Sequence, residues 1–295
     1  MSTTTDTSAP GDAMTSAAPP APPGAAAARA GAISRTIGRS LLNALLTFVI
    51  VLALWWAVVN LTGISPYVAK GPADVWEFFF TSEEAAQNRA EMMPLLAQTL
   101  SDAALGFVVG MVVALVLALA FSLSRSVEMG VMPLALLLRS VPLVAIAPVI
   151  ILITGRGTAA SVAVIGSIVV LFPALASMMF GLSRASKESL DVVHVYGGGR
   201  ATQLRKVNVP GALPSLFAAA RVSVPGAVTG ALLAEWLSTG QGIGGMIQKF
   251  SASARFDELW ASVALITIIT LLLYNVVQVI ENIVLARMGM TTSSR

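Results

Sequence analysis

Few residues in this chain could do bond-making chemistry. Cysteine is absent and His194 is the only histidine, so a thiolate metal site, a cysteine nucleophile and a paired-histidine ligand set all lack their atoms. No metal-binding or catalytic residue is expected. Gly240, Gly242 and Gly245 satisfy G-x-G-x-x-G, but that pattern holds a dinucleotide only between a strand and a helix. No strand precedes it, and a flexible loop is the expectation. The phosphate-cradling pattern G-x-x-x-x-G-K-[ST] does not occur, so no cofactor or nucleotide is expected on this chain. What remains is charge in an oily setting. Arg139, Arg221 and Glu235 lie inside apolar runs, and Asp191 to Pro210, DVVHVYGGGRATQLRKVNVP, is a polar stretch between two of them.

The setting decides how those charges are read. Of 295 residues, 56% are hydrophobic and only 11% charged, against about 25% charged in an average soluble domain. Such a chain cannot cover itself with polar surface. A membrane-crossing helix needs about 20 mostly apolar residues, because the bilayer interior leaves no water to satisfy free backbone groups. Six stretches approach that length: 40–61, 103–124, 131–154, 159–182, 214–237 and 259–284. The third carries Pro142 and Pro148 and is expected to kink or locally unwind. In the second, Gly106, Gly110 and Ala114 recur every four residues and line one face, which lets another helix approach closely. Residues 62–101 read as a polar outer loop with room for one short surface helix, and Pro66, Pro72 and Pro94 as breakers. Residues 1–35, rich in Ala, Pro, Ser, Thr and Gly, have little to bury and read as a disordered tail. The rest, 36–290, reads as one membrane domain.

Six spans place both termini on one side. Eleven of the 18 Lys and Arg residues fall on that side and five on the other. Positive charge stays inside, so both termini and the stretch 186–212 are expected in the cytoplasm. The net charge of +3 follows from basic cytoplasmic loops and calls for no nucleic acid.

Within 186–212, SKESLDVVHVY places Leu190, Val193 and Gly197 on one helical stripe, with Val192 and Tyr196 beside it. Gly197, Gly198 and Gly199 permit a sharp turn. A second short helix is expected from Arg200 to about Val207, ended by Pro210 and Pro214. Two short helices on a glycine elbow make a protruding knob, suited to a groove on a partner.

These residues resemble a family signature. In permease subunits of binding-protein-dependent ABC importers, an acidic residue and two small residues are followed at fixed spacing by a glycine, an aliphatic residue and an aliphatic-proline pair. Asp191, Val192, Val193, Gly197, Val207, Val209 and Pro210 stand at those positions. Here Asp replaces the commoner glutamate, Val-Val the commoner Ala-Ala, and Gly198–Gly199 a small-polar pair. RSVPLVAIAPVIILITGRG and LLAEWLSTGQGIGGMI resemble the nitrate, sulfonate and taurine branch, so the likeness runs over about 125–286.

The resemblance implies an all-α integral membrane protein with the type I importer fold: six transmembrane helices and a cytoplasmic coupling-helix loop. It implies that Asp191, Val192, Val193, Tyr196, Gly197, Val207 and Pro210 dock into a separate ATPase. The implied partners are two copies of that ATPase, an extracytoplasmic substrate-binding protein and a second copy of this chain, in the inner membrane of a bacterium. The chain itself would be no enzyme. The solute would be a small anion such as a sulfonate, taurine or nitrate, or else a thiamine-precursor pyrimidine or other small organic molecule. Arg139, Ser167, Arg221 and Glu235 are candidates for lining the pathway; helix-end contacts or snorkelling compete for the arginines. An autonomous secondary transporter or channel is the rival class, but within the spans it would have only Glu235 and the peripheral Asp102 and Glu281 to bind a coupling ion.

Overall fold

The structure, a computed structural model, describes Leu46 and residues 48–288; the side chains of Leu134, Ala135, Leu136, Leu138 and Arg139 fall outside that description. The expected tail over 1–35 lies outside the described residues too. Within them the chain is all helical. Helix α1 is Phe48–Leu61, the described part of the first apolar stretch. There follow α2 (Pro72–Trp76), α3 (Ala85–Leu123), α4 (Arg125–Ser140), α5 (Leu143–Thr154), α6 (Ala159–Leu182), α7 (Lys187–Val195), α8 (Arg200–Gln203), α9 (Val209–Ala234), α10 (Gly242–Ala252) and α11 (Phe256–Arg287). Single π-turns extend α2 over Glu77–Thr81, join α8 to α9 over Leu204–Asn208, and extend α9 over Glu235–Thr239.

Four of these runs are long and apolar enough to cross a membrane: Ala85–Leu123, Ala159–Leu182, Arg200–Thr239 and Phe256–Arg287. The third expected span, 131–154, is instead two shorter helices. Pro142 sits with ψ at 119° as the cap of α5, because the missing N–H and the ring's clash with the preceding turn stop α4 at Ser140.

Three expectations are corrected. Residues 85–101 are not loop but the first part of α3, which at 39 residues is about 58 Å long, nearly twice the hydrocarbon thickness. Its polar composition is that of a helix whose one face is solvated while Met92 and Leu96 bury the other. Pro94 lies inside it. Pro210 and Pro214 do not end the second loop helix either, since α8, the π-turn and α9 run on as one rod. Pro210 follows directly on the π-turn, whose wider hydrogen-bond spacing interrupts the regular ladder where the proline N–H is missing. The glycine-rich segment after Thr239 is helix α10, with Gly242, Ile243, Gly244 and Gly245 buried.

The core is where α3, α6 and α9 cross. Ala114, Ala118, Val170, Ala174 and Ala219 are wholly buried there, with Phe121 and Met178 beside them. Small residues set the spacing. A Cβ placed on Gly166 of α6 would stand 2.9 Å from the Gly106 Cα of α3, and one on Gly230 of α9 would stand 2.8 Å from the Gly166 Cα. Backbones that close gain dispersion contact along the whole crossing. At the end away from α7, Trp260 Nε1 donates to the Val68 carbonyl at 2.9 Å, and Lys70 pairs with Asp257 at 3.0 Å. These bonds tie the segment before α2 to the start of α11.

Candidate functional site

The α7–α8 loop is built from its caps inward. Ser186 starts α7, its Oγ accepting from the Ser189 N–H at 3.3 Å, and Glu188 in the first turn faces the positive end of the helix dipole. The helix stops at Gly197, whose φ of +77° is a left-handed conformation that residues with a Cβ resist. Gly197 N–H donates to His194 O at 2.9 Å and Gly198 N–H to Val193 O at 2.8 Å. That pair of bonds is a Schellman motif. A Cβ on Gly198 would lie 2.8 Å from the Val193 carbonyl oxygen, which explains why this chain has glycine where small-polar residues are usual. Gln203 Nε2 then donates to Leu190 O at 3.2 Å and fastens α8 to α7, while Asn208 Nδ2 donates to Leu182 O at 2.9 Å and fastens the π-turn to the end of α6.

A well-capped knob results, with apolar side chains turned outward. Val192 is 58% exposed, Val195 83% and Tyr196 87%. Asp191 and His194 are exposed beside them, and Asp191 forms no ion pair with the described residues. Val193 and Val207 are half buried and Pro210 is exposed. Val193 stands over Gly198, on the side facing α8. Val195 was missed in the sequence because Leu190, Val193 and Gly197 supplied a more regular stripe. Leu190 and Val193 are only partly buried, and Val195 lies outside that stripe.

The charged residues of the apolar runs sit apart from the loop. Arg221 of α9 pairs with Glu281 of α11 at 3.3 Å and lies 5.8 Å from the Tyr274 ring centroid. Glu281, expected at the periphery, is 4% exposed. Nothing in sequence spacing could reveal a pair 60 positions apart. Glu235 is fully buried and holds three elements together. Its Oε2 lies 3.0 Å from the Thr99 hydroxyl of α3 and accepts from the Gly244 N–H of α10 at 2.8 Å. Thr99 Oγ in turn accepts from the Ile243 N–H at 2.8 Å. The glycines of the G-x-G-x-x-G pattern serve this clasp: Gly242 has φ +64°, and a Cβ there would run into the Glu235 carboxyl group. Ser167 donates to its own helix at Val164 O, 3.0 Å away, and the Arg139 side chain lies outside the described residues.

Residues 106–290 match a family model described as a binding-protein-dependent transport system inner membrane component. The chain belongs to this family. Among curated permeases, a riboflavin transport system permease protein of Chloroflexus aurantiacus is 33% identical over 80% of this chain and 87% of its own length. A formylaminopyrimidine transport permease protein of Halalkalibacterium halodurans is 24% identical over 83% of this chain and 95% of its own. A taurine transport system permease protein of Escherichia coli is 26% identical over 77% and 82%. The fold is also that of a solved bacterial ABC transporter involved in the import of the acidic polysaccharide alginate, at a TM-score of 0.51 and 15% identity over 85% of this permease and 98% of that chain. The type I importer fold is thereby established, and this permease is a subunit for import of a small solute rather than an autonomous transporter.

Proposed function

We propose that the α7–α8 knob is the docking element through which a separate cytoplasmic ATPase drives this permease. The observation that carries the reading is the exposure of Val192, Val195 and Tyr196 on a helix locked by its own caps. Rigid apolar side chains held in water are what helix-in-groove recognition uses. Asp191, exposed and unpaired, pairs with a basic residue of the groove; Val193, Gly197, Val207 and Pro210 shape the elbow and its return. Two ATPases move two knobs, one on each copy of a permease homodimer, and the knobs move α9. Coupling of this kind requires two states with different contacts. A substrate-binding protein delivers solute at the end where α2, α10 and α11 meet. With eleven basic residues on the knob side against five, the permease sits in a bacterial inner membrane with both termini cytoplasmic.

For the solute, a small anion such as a sulfonate, taurine or nitrate is supported by the taurine relative; Arg139 and Ser167 remain the proposed lining of its pathway. A heteroaromatic solute is the second reading. It is favoured by the riboflavin and formylaminopyrimidine relatives and by the commitment of Arg221 to Glu281, which leaves that charge unavailable to an anion. The ligand retained by the purified binding protein discriminates the two. Docking is tested by Asp191→Lys and Gly197→Trp, each expected to insert normally but to lose the co-purifying ATPase and uptake. Retention of both activities by either variant refutes the docking role.

A further inference from the structure

At the knob end of the permease a cavity of about 760 Å³ opens between the end of α3, the first half of α4, the end of α6, and α8 with the π-turn that follows it. Its walls differ in character. Phe121, Met129, Met132, Met179 and Leu182 supply an apolar wall in which three methionines give an adaptable surface. Arg125, Arg200 and Asn208 supply the polar side. Both arginines are exposed and neither forms an ion pair with the described residues, although Glu128 also lines the cavity. Asn208 uses its Nδ2 on Leu182 O, while its Oδ1 is buried with no donor.

We propose that this cavity binds an anionic phospholipid whose headgroup carries a hydroxyl, such as phosphatidylglycerol. The phosphate diester suits two unpaired guanidiniums. The headgroup hydroxyl supplies the donor that the buried Asn208 Oδ1 lacks. The first methylenes of the acyl chains lie along the methionine wall, and the remainder leave towards the bilayer beside α4. The position agrees with the chemistry, because the cavity sits at the ends of three apolar runs, where headgroups lie. The volume falls within the range of about 300–1,000 Å³ of ordinary ligand sites. Assignment to the cytoplasmic leaflet rests on the sidedness proposed above; binding itself does not, and neither depends on ATPase docking.

The test is native mass spectrometry of the full chain, purified in a non-ionic detergent and titrated with phosphatidylglycerol or phosphatidylcholine. The wild type is expected to take up one phosphatidylglycerol in preference to phosphatidylcholine. Near a membrane surface each basic residue contributes about 1 kcal/mol, so Arg125→Gln and Arg200→Gln should each weaken binding about fivefold, and together about thirtyfold. Met132→Trp fills the cavity without altering charge and should also expel the lipid. Wild-type affinity in the double arginine variant overturns the proposal, as does retention of the lipid by Met132→Trp. Displacement of the lipid by millimolar inorganic phosphate overturns it as well, by showing a site for a soluble anion.

Discussion

Replacing Gly166 with alanine sets two effects against one another. In a helix interior the change is ordinarily stabilising by about 1 kcal/mol. Here the new methyl would stand 2.9 Å from Gly106 Cα, a backbone atom with no rotamer to yield, with Gly106 N and C 3.8 and 3.9 Å away. Carbon atoms rest about 3.5–4.0 Å apart, so α3 and α6 must separate by roughly 0.6–1.1 Å. Overpacking of this kind costs about 1–3 kcal/mol. Gly130 and Gly211 supply the reference, because a Cβ on either meets nothing within 4 Å; alanine there gives the propensity gain alone. The expected result is that Gly166→Ala unfolds below both reference variants by about 1–3 kcal/mol, followed through intrinsic tryptophan fluorescence of the full chain in detergent. The two new methyls of a Gly106→Ala, Gly166→Ala double variant face each other, so its loss should exceed the sum of the singles. If Gly166→Ala melts at or above Gly130→Ala, the helices do not meet as closely as described and the reasoning fails.

Two further expectations concern buried charge. Arg221→Ala strands Glu281 in the interior and should cost about 3–5 kcal/mol; Arg221→Met with Glu281→Leu should recover most of it, and a double variant no more stable than the single refutes the pairing. At the clasp, Asp102 interacts with Glu235 and each carboxyl group has a buried oxygen without a donor. Glu235→Gln should therefore match or exceed wild-type thermal stability by offering Asp102 an N–H. Glu235→Ala leaves Gly244 N–H unpaired and should lose about 1–3 kcal/mol. Equal stability of the two variants refutes the clasp.

Legibility in the sequence followed the range of the forces involved. The run 159–182 was readable to its bounds because its length is set by the bilayer and its flanks by Gly157 and Ser183. The elbow was readable because Gly197 needs a positive φ that follows from local sterics. Residues 85–101 were not, since a helix solvated on one face and packed on the other has the composition of a loop until its packing partners are known. Helix α10 was hidden for a related reason. Its glycines are demanded by Glu235 and Leu232 of another element, and glycine content alone reads as flexibility. The Arg221–Glu281 pair depends on which helices become neighbours, and the fold alone supplies that. The position and spacing of the α7–α8 knob were legible; the outward turn of Val195 was not.

The unbroken rod from Arg200 to Thr239 has a mechanical corollary. It is held to α6 at two close approaches, Gly230 on Gly166 and Ser215 with Ala212 on Gly181, so the two helices shift together like a plank nailed at both ends. A displacement of the knob would therefore reach the Glu235 clasp undiminished, along about 53 Å of helix.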